Sequence, residues 1–110
     1  MFVKIASDEN LNKLVSSNKT VLVKVGAQWC APCRALAPTL ERVAEERLSS
    51  FPVYDLDIDD NPVSAQSLRI QGVPTMIIFH NGVEISRKSG SMAKAPLDTW
   101  LNSELEKVGG

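Results

Sequence analysis

Only two cysteines and one histidine occur in the 110 residues. A framework of several disulfides is therefore excluded, and a structural zinc, which takes four ligands, would find only Cys30 and Cys33 available together. His80 falls at a predicted turn and reads as a solvated residue rather than a ligand, so no metal site is predicted. Neither sign of charge is in excess: 12 Lys and Arg against 13 Asp and Glu give a net charge of -1, without the basic surface of a nucleic-acid binder. No apolar run approaches the length of a membrane span. The first nine residues contain no extended apolar segment and turn acidic at Asp8, so no secretory signal is predicted and a cytoplasmic location is favoured. Repeats, low-complexity tracts, a Gly-rich phosphate loop and a Ser/His/Asp constellation do not stand out either. What is left, with 44% hydrophobic and 23% charged residues, reads as one soluble domain over residues 1–110, expected to be a monomer.

The two cysteines stand three apart in Trp29-Cys30-Ala31-Pro32-Cys33, after the apolar run Val21-Leu22-Val23 and at the start of a helix-patterned segment. A close pair in a reducing compartment is more often redox-active or metal-binding than a structural staple, because so short a loop constrains the unfolded chain little. The junction of strand and helix favours redox chemistry. A free cysteine with a pKa of about 8.5 is mostly protonated at neutral pH, and the unsatisfied amides and positive dipole end of a helix N-terminus favour its anion. Cys30 is accordingly predicted as the attacking thiolate. Cys33, one turn later on the same face, is predicted as the resolving thiol, and Pro32 suits the first helical turn.

Phe2 to Ile5 reads as a short strand, and Ser7-Asp8-Glu9 as a helix start with a hydroxyl cap and early negative charge, followed by Leu11, Leu14 and Val15 as the apolar stripe. The β-branched run Val21 to Val25 is patterned as a central strand. Leu36, Leu40 and Val43 predict an amphipathic helix from Pro32 to about Leu48, with a kink at Pro38. Val53 to Asp59 alternates, with Tyr54, Leu56 and Ile58 on one face. A helical turn follows from Asn61-Pro62 through Ser67. Thr75–Phe79 and Val83–Arg87 flank His80-Asn81-Gly82, a hairpin signal. Leu97, Leu101, Leu105 and Val108 mark a closing helix introduced by Pro96, and Gly109-Gly110 is expected to fray. The predicted architecture is α/β, a mixed sheet with helices on both faces.

This order and the segments Ala27-Gln28-Trp29-Cys30-Ala31-Pro32-Cys33-Arg34, Ala37-Pro38, Asp59-Asp60-Asn61-Pro62, Gly72-Val73-Pro74-Thr75, Asn81-Gly82 and Gly90 resemble the thioredoxin family over nearly the whole length. The resemblance implies a thioredoxin fold, a central mixed five-stranded sheet flanked by four helices. It implies protein disulfide reduction by dithiol–disulfide exchange at Cys30 and Cys33, without a bound cofactor, electrons coming from NADPH through a flavin-containing thioredoxin reductase. Ribonucleotide reductase, peroxiredoxin and methionine sulfoxide reductase are the acceptors it suggests. Val73-Pro74 resembles the family's cis-proline loop, and Trp29, Ala31, Pro32, Val73 and Pro74 are the implied substrate-binding residues, an extended substrate segment adding like a strand.

Three positions depart from the family pattern. Ala31 stands where glycine is usual, which removes backbone freedom between the cysteines. Lys24 stands where the family has a buried aspartate and Asp55 where it often has a lysine, which reads as a swapped charge pair beneath the active site. As a cation Lys24 would stabilise the Cys33 thiolate; as a neutral amine it would serve as base; as a snorkelling side chain it would do neither. Gly26 replaces a common aromatic and is expected to leave less bulk beside the site. Two other functions remain open at this level: a disulfide oxidase or isomerase of different redox poise, and a binding subunit that uses the surface around Trp29, Val73 and Pro74 without turnover.

Overall fold

A computed structural model describes residues 1–109; Gly110, expected to fray, lies outside the described residues. The elements follow the predicted order: β1 (Lys4–Ile5), α1 (Leu11–Ser17), β2 (Thr20–Gly26), α2 (Ala31–Glu46), β3 (Val53–Asp57), α3 (Pro62–Ser67), β4 (Thr75–His80), β5 (Val83–Ser89) and α4 (Lys94–Lys107). The strands form one mixed sheet in the order β1-β3-β2-β4-β5. β1, β3 and β2 run parallel, and β4 and β5 run antiparallel to their neighbours. The expected five strands and four helices are all present.

β2 is buried at every residue because the sheet is covered on both faces. Val21, Val23 and Val25 join Leu56, Ile77 and Phe79 in a core closed by Leu11, Leu14 and Val15 of α1. Leu22 faces the other way with Val53, Met76 and Ile78, against Leu36, Leu40 and Val43 of α2 and Leu97, Trp100 and Leu101 of α4. The period of two therefore puts Lys24 and Gly26 on the α2 face of the sheet. The alternation predicted in β3 holds, but its Val53 side is also packed, since this strand lies between β1 and β2 with α2 above it.

Several boundaries and roles differ from expectation. The first strand is only Lys4–Ile5, since the Phe2 and Val3 amides donate to the Glu41 carboxylate of α2 instead of to a neighbouring strand. The helix expected at Ser7 begins at Leu11. Ser7 and Asn10 exchange hydrogen bonds, Asn10 Oδ1 accepting from the Ser7 amide and Ser7 Oγ from the Asn10 amide, which closes a turn ahead of the helix. Asp8 does not cap α1 either. Its carboxylate accepts from the amides of Ser64 at 2.7 Å and Val63 at 3.3 Å, so it caps α3, while the Asp8 amide donates back to Asn61 Oδ1. That cap holds the Asp8 carboxyl below its usual range, chiefly through the hydrogen bonding of Ser64.

His80, expected at a solvated rim, is buried at the end of β4, where its Nδ1 shares a 2.9 Å hydrogen bond with Thr20 Oγ1. β4 runs one residue further than predicted, and the turn itself is Asn81-Gly82, both at positive φ (53° and 81°) as a two-residue hairpin turn requires. α2 continues through Pro38. In α4 the buried face is Leu97, Trp100 and Leu101, with Trp100 Nε1 donating to Ser86 Oγ of β5; Val108 lies just past the helix.

α2 and α4 are tied by charge as well as by the core. Asp98 accepts from Arg47 at 3.2 Å and from Lys94 at 2.7 Å, and Lys94 also pairs with Glu46. Burial pushes the Asp98 carboxyl up, but the hydrogen bonds from Lys94 and Arg47 outweigh it and the net shift is downward. A carboxyl with a lowered folded-state pKa contributes stability above its unfolded value of about 3.9, and that contribution is lost as pH falls through the folded value. Asp98→Asn is accordingly expected to cost about 1 kcal/mol at pH 7, roughly 4–8 °C in Tm for a domain of this size. Thermal unfolding of the two proteins should converge once the pH is acid enough to protonate Asp98; a difference that persisted there would assign the loss to packing.

Candidate active site

The site forms where β2 ends at Gly26 and α2 begins at Ala31. Cys30 is the residue before the helix, with extended backbone (φ -92°, ψ 111°), and its Sγ accepts a hydrogen bond from the Cys33 amide at 3.2 Å. The sulfur thus takes the place that a serine or aspartate oxygen takes at an ordinary helix cap. It meets one of the free amides and the positive end of the dipole. Pro32 occupies the first turn, where a missing N–H costs nothing. Cys30 and Cys33 are joined as a disulfide with their Cα atoms 5.2 Å apart, and both are buried, Cys33 at 1% exposure.

The Val73–Pro74 bond is cis, as the resemblance implied. The Val73 carbonyl oxygen lies 3.7 Å from Cys30 Sγ, and Val73 itself is half-buried against the cysteines. Thr75 Oγ1 donates to the Gly72 carbonyl and the Gly90 amide to that of Pro74, so the loop is fastened on both sides. Ala31, Pro32 and Gly72 are exposed around it. Trp29, 65% exposed, is not a core aromatic; its Nε1 donates to Asp59 Oδ2 at 2.8 Å, which holds the indole beside the site. Arg34 donates to the Gln28 carbonyl at 2.7 Å and staples the loop to the helix.

Lys24 and Asp55 are register partners on the parallel strands β2 and β3, and their Nζ and Oδ1 are 3.0 Å apart. Lys24 is 7% exposed, so it does not snorkel to solvent. The distance is that of an ion pair, but the approach lacks the alignment of a hydrogen bond: buried Asp55 Oδ1 has no hydrogen-bond partner, and the contact is electrostatic. The bulk that Gly26 was expected to leave out beside the site is supplied by Lys24. Gly26 is buried, and a Cβ built on it would stand 2.8 Å from both Lys24 Cε and Nζ and 3.1 Å from Cys33 Sγ. The lysine fills the room that glycine provides. Behind the disulfide a cleft of about 270 Å³ is lined by Lys24, Gly26, Cys33, Arg34, Asp55 and Asp57, among others.

The structure therefore gathers these residues at one place, Trp29, Ala31 and Pro32 exposed, Val73 half-buried and Cys30, Cys33 and Pro74 buried beneath them, with Lys24 and Asp55 behind. Sequence reasoning missed the functions of Asp59, as the anchor of Trp29, and of Asp57, whose Oδ1 accepts from the Asp59 amide at 2.8 Å to shape the turn after β3. The acidic string Asp57-Ile58-Asp59-Asp60 was a visible signal, without an indication of what it held. Among the described residues no group of three or more His, Cys, Asp or Glu is placed to hold a metal ion, and no helix is long and apolar enough to cross a membrane.

The sequence model of the thioredoxin family matches residues 2–103. A protein named thioredoxin from Mycobacterium tuberculosis (strain ATCC 25618 / H37Rv) is 39% identical over 95 residues, 86% of this chain and 82% of that protein. The thioredoxin of Acidithiobacillus ferridurans is 36% identical over 101 residues, covering 92% and 94%. A bifunctional thioredoxin reductase/thioredoxin of Mycobacterium leprae is 43% identical over 84 residues, 76% of this chain but 18% of that longer protein. A sulfur pair at a helix cap, a cis-proline loop beside it and this similarity along the whole sheet have one explanation: the chain is a member of the thioredoxin family and a thiol–disulfide oxidoreductase.

Proposed function

We propose that the protein is a thioredoxin-type protein disulfide reductase, with Cys30 as nucleophile and Cys33 as resolving thiol. The observation that carries this reading is Cys30 Sγ accepting the Cys33 amide at the cap of α2, 3.7 Å from the carbonyl of Val73. In the reduced protein the helix end favours the Cys30 thiolate, which attacks one sulfur of a substrate disulfide; the other substrate sulfur leaves as a thiolate. Cys33 then loses its proton and attacks Cys30 Sγ. The bond from Cys30 to substrate breaks, the second substrate thiolate departs, and the two electrons delivered leave Cys30 and Cys33 as the disulfide. An extended substrate segment would lie along Val73 and Pro74 like an added strand, flanked by Trp29, Ala31 and Pro32.

The protein itself would carry no cofactor. Recycling would come from NADPH through a flavin-containing thioredoxin reductase, a partner supported by the relative whose name joins reductase and thioredoxin. Ribonucleotide reductase, peroxiredoxin and methionine sulfoxide reductase are the acceptors that family membership suggests, and the reading is of a monomeric single domain working in the cytoplasm. Lys24 and Asp55 handle charge at the resolving step. Their 3.0 Å pair lies on the wall of the cleft that Cys33 also lines.

Cys30→Ser is expected to lower insulin-disulfide reduction by at least about 10³-fold, since an alcohol does not replace the thiolate. Cys33→Ser should instead accumulate a mixed disulfide with substrate on Cys30, visible as an added mass that dithiothreitol removes. Survival of activity in the double serine variant would remove the enzymatic reading and favour a binding role. A strongly oxidising potential against a glutathione buffer would turn the assignment toward oxidase or isomerase.

The charge pair is tested by pH. Lys24→Met removes the cation and Asp55→Asn its counter-charge, and each is expected to change the reduction rate about tenfold and to displace the rising limb of its pH profile, in opposite directions. Unchanged rates and profiles in both variants would take the pair out of the mechanism. Both substitutions also strand a charge, so each should lower Tm measurably in the oxidised protein.

A further inference from the structure

The Lys24 amine does not reach its position by its own length alone. A Cβ on Gly26 would stand 2.8 Å from Lys24 Cε and Nζ, closer than carbon approaches such atoms in folded proteins, and 3.1 Å from Cys33 Sγ. The same point in space is thus within contact range of both the amine and the resolving sulfur, which bounds Nζ at no more than about 6 Å from Sγ. Every residue of β2, Gly26 included, is buried, and Lys24 at 7% exposure sits below the surface on the wall of the cleft.

From this contact we infer that Gly26 is a positioning residue for the resolving step: the missing side chain is the seat that holds the Lys24 ammonium beside Cys33 Sγ. The inference rests on the reading of Lys24 as a cation acting on Cys33 and adds the residue that puts it there. The ion pair with Asp55 holds the same ammonium from β3 at 3.0 Å. Arg34 of α2, Asp55 and Asp57 of β3 and Asp60 beyond it are the other charged groups on the cleft wall next to Cys33. Three of those four are acidic and oppose a Cys33 anion, so an ammonium seated at contact distance from the shared point is what tips the balance toward the thiolate.

The step it serves is the second half of exchange. With substrate bound to Cys30, the Cys33 S–H gives its proton to water in the cleft, its sulfur attacks Cys30 Sγ, and the substrate sulfur leaves with the bonding electrons. A seated ammonium cannot accept that proton. It acts by lowering the energy of the thiolate, and equally of Cys33 as the leaving group when a reductant opens the disulfide at Cys30.

The test is titration of Cys33 in Cys30→Ser protein, where it is the single thiol, followed by thiolate absorbance near 240 nm. Gly26→Ala and Lys24→Met are each expected to cut the thiolate fraction near neutral pH about tenfold, and the combination should fall no further than Lys24→Met alone. If Gly26→Ala titrates like its parent while Lys24→Met shifts, the cation acts without this seat and the inference is overturned. If Lys24→Met shifts nothing, the reading of Lys24 falls and takes the seat with it. Neither result depends on turnover, so both are separable from a loss of insulin reduction, which bears on the reductase assignment itself. Should Gly26→Ala fail to fold, the same change is made with Lys24→Ala: recovery of Tm in that background supports the seat, and equal damage in both backgrounds refutes it.

Discussion

A strand buried on both faces admits a charged side chain only where a partner and a space are built for it. β2 is such a strand, the central one of the five and buried at every residue under both helical layers, and most of what distinguishes this protein follows from the lysine in its middle. The register of the parallel pair sets Asp55 beside Lys24, so the counter-charge comes from the adjoining strand without any special loop. An isolated ammonium there would carry a desolvation cost of several kcal/mol, which fixes the two positions as a unit. The same strand ends at Gly26, and its end determines where α2 can start and where the sulfurs stand.

The sulfur at the cap of α2 shows how little machinery the first chemical step needs. Four residues separate β2 from α2, enough to turn the chain and leave Cys30 in extended conformation just before the first helical turn. A side-chain atom at that position meets free amides whatever its chemistry, and on the proposed reading a sulfur there is favoured as its thiolate once the disulfide is reduced. The cis-proline loop and the Asp59-held indole then define the rim. Each is fixed by hydrogen bonds to neighbouring backbone or to an acidic side chain, so the rim around the sulfurs is held in place.

Much of this was legible in the sequence because the signals were local. The central strand, the hairpin turn at Asn81-Gly82 and the cysteine-bearing helix each have their pattern within a few consecutive residues, and all nine elements appeared in the expected order. The errors came from partners distant in sequence. Asp8 read as early negative charge for the helix beside it but caps α3, 56 residues away, and a periodic pattern carries no information about that choice. His80 looked solvated because it adjoins Asn-Gly; its burial depends on Thr20 across the sheet. The swapped Lys24 and Asp55 were recognised as a pair through resemblance, whereas the contact between Lys24 and Gly26 required the path of a side chain, which spacing does not supply.

That path makes two departures from the family pattern into one. Lys24 and Gly26 are two residues apart on the same face, about 6.6 Å at the rise of a strand, which is close to the reach of an extended lysine. A carboxylate at position 24 would end near its own Cα and would leave the space above residue 26 free for a side chain of any size. A lysine carries its charge along the strand to residue 26, where Cys33 waits, and a side chain there would have to share the same volume. Reversing the sign of the buried charge therefore also moves it toward the sulfur, and a residue without a Cβ is the geometric consequence.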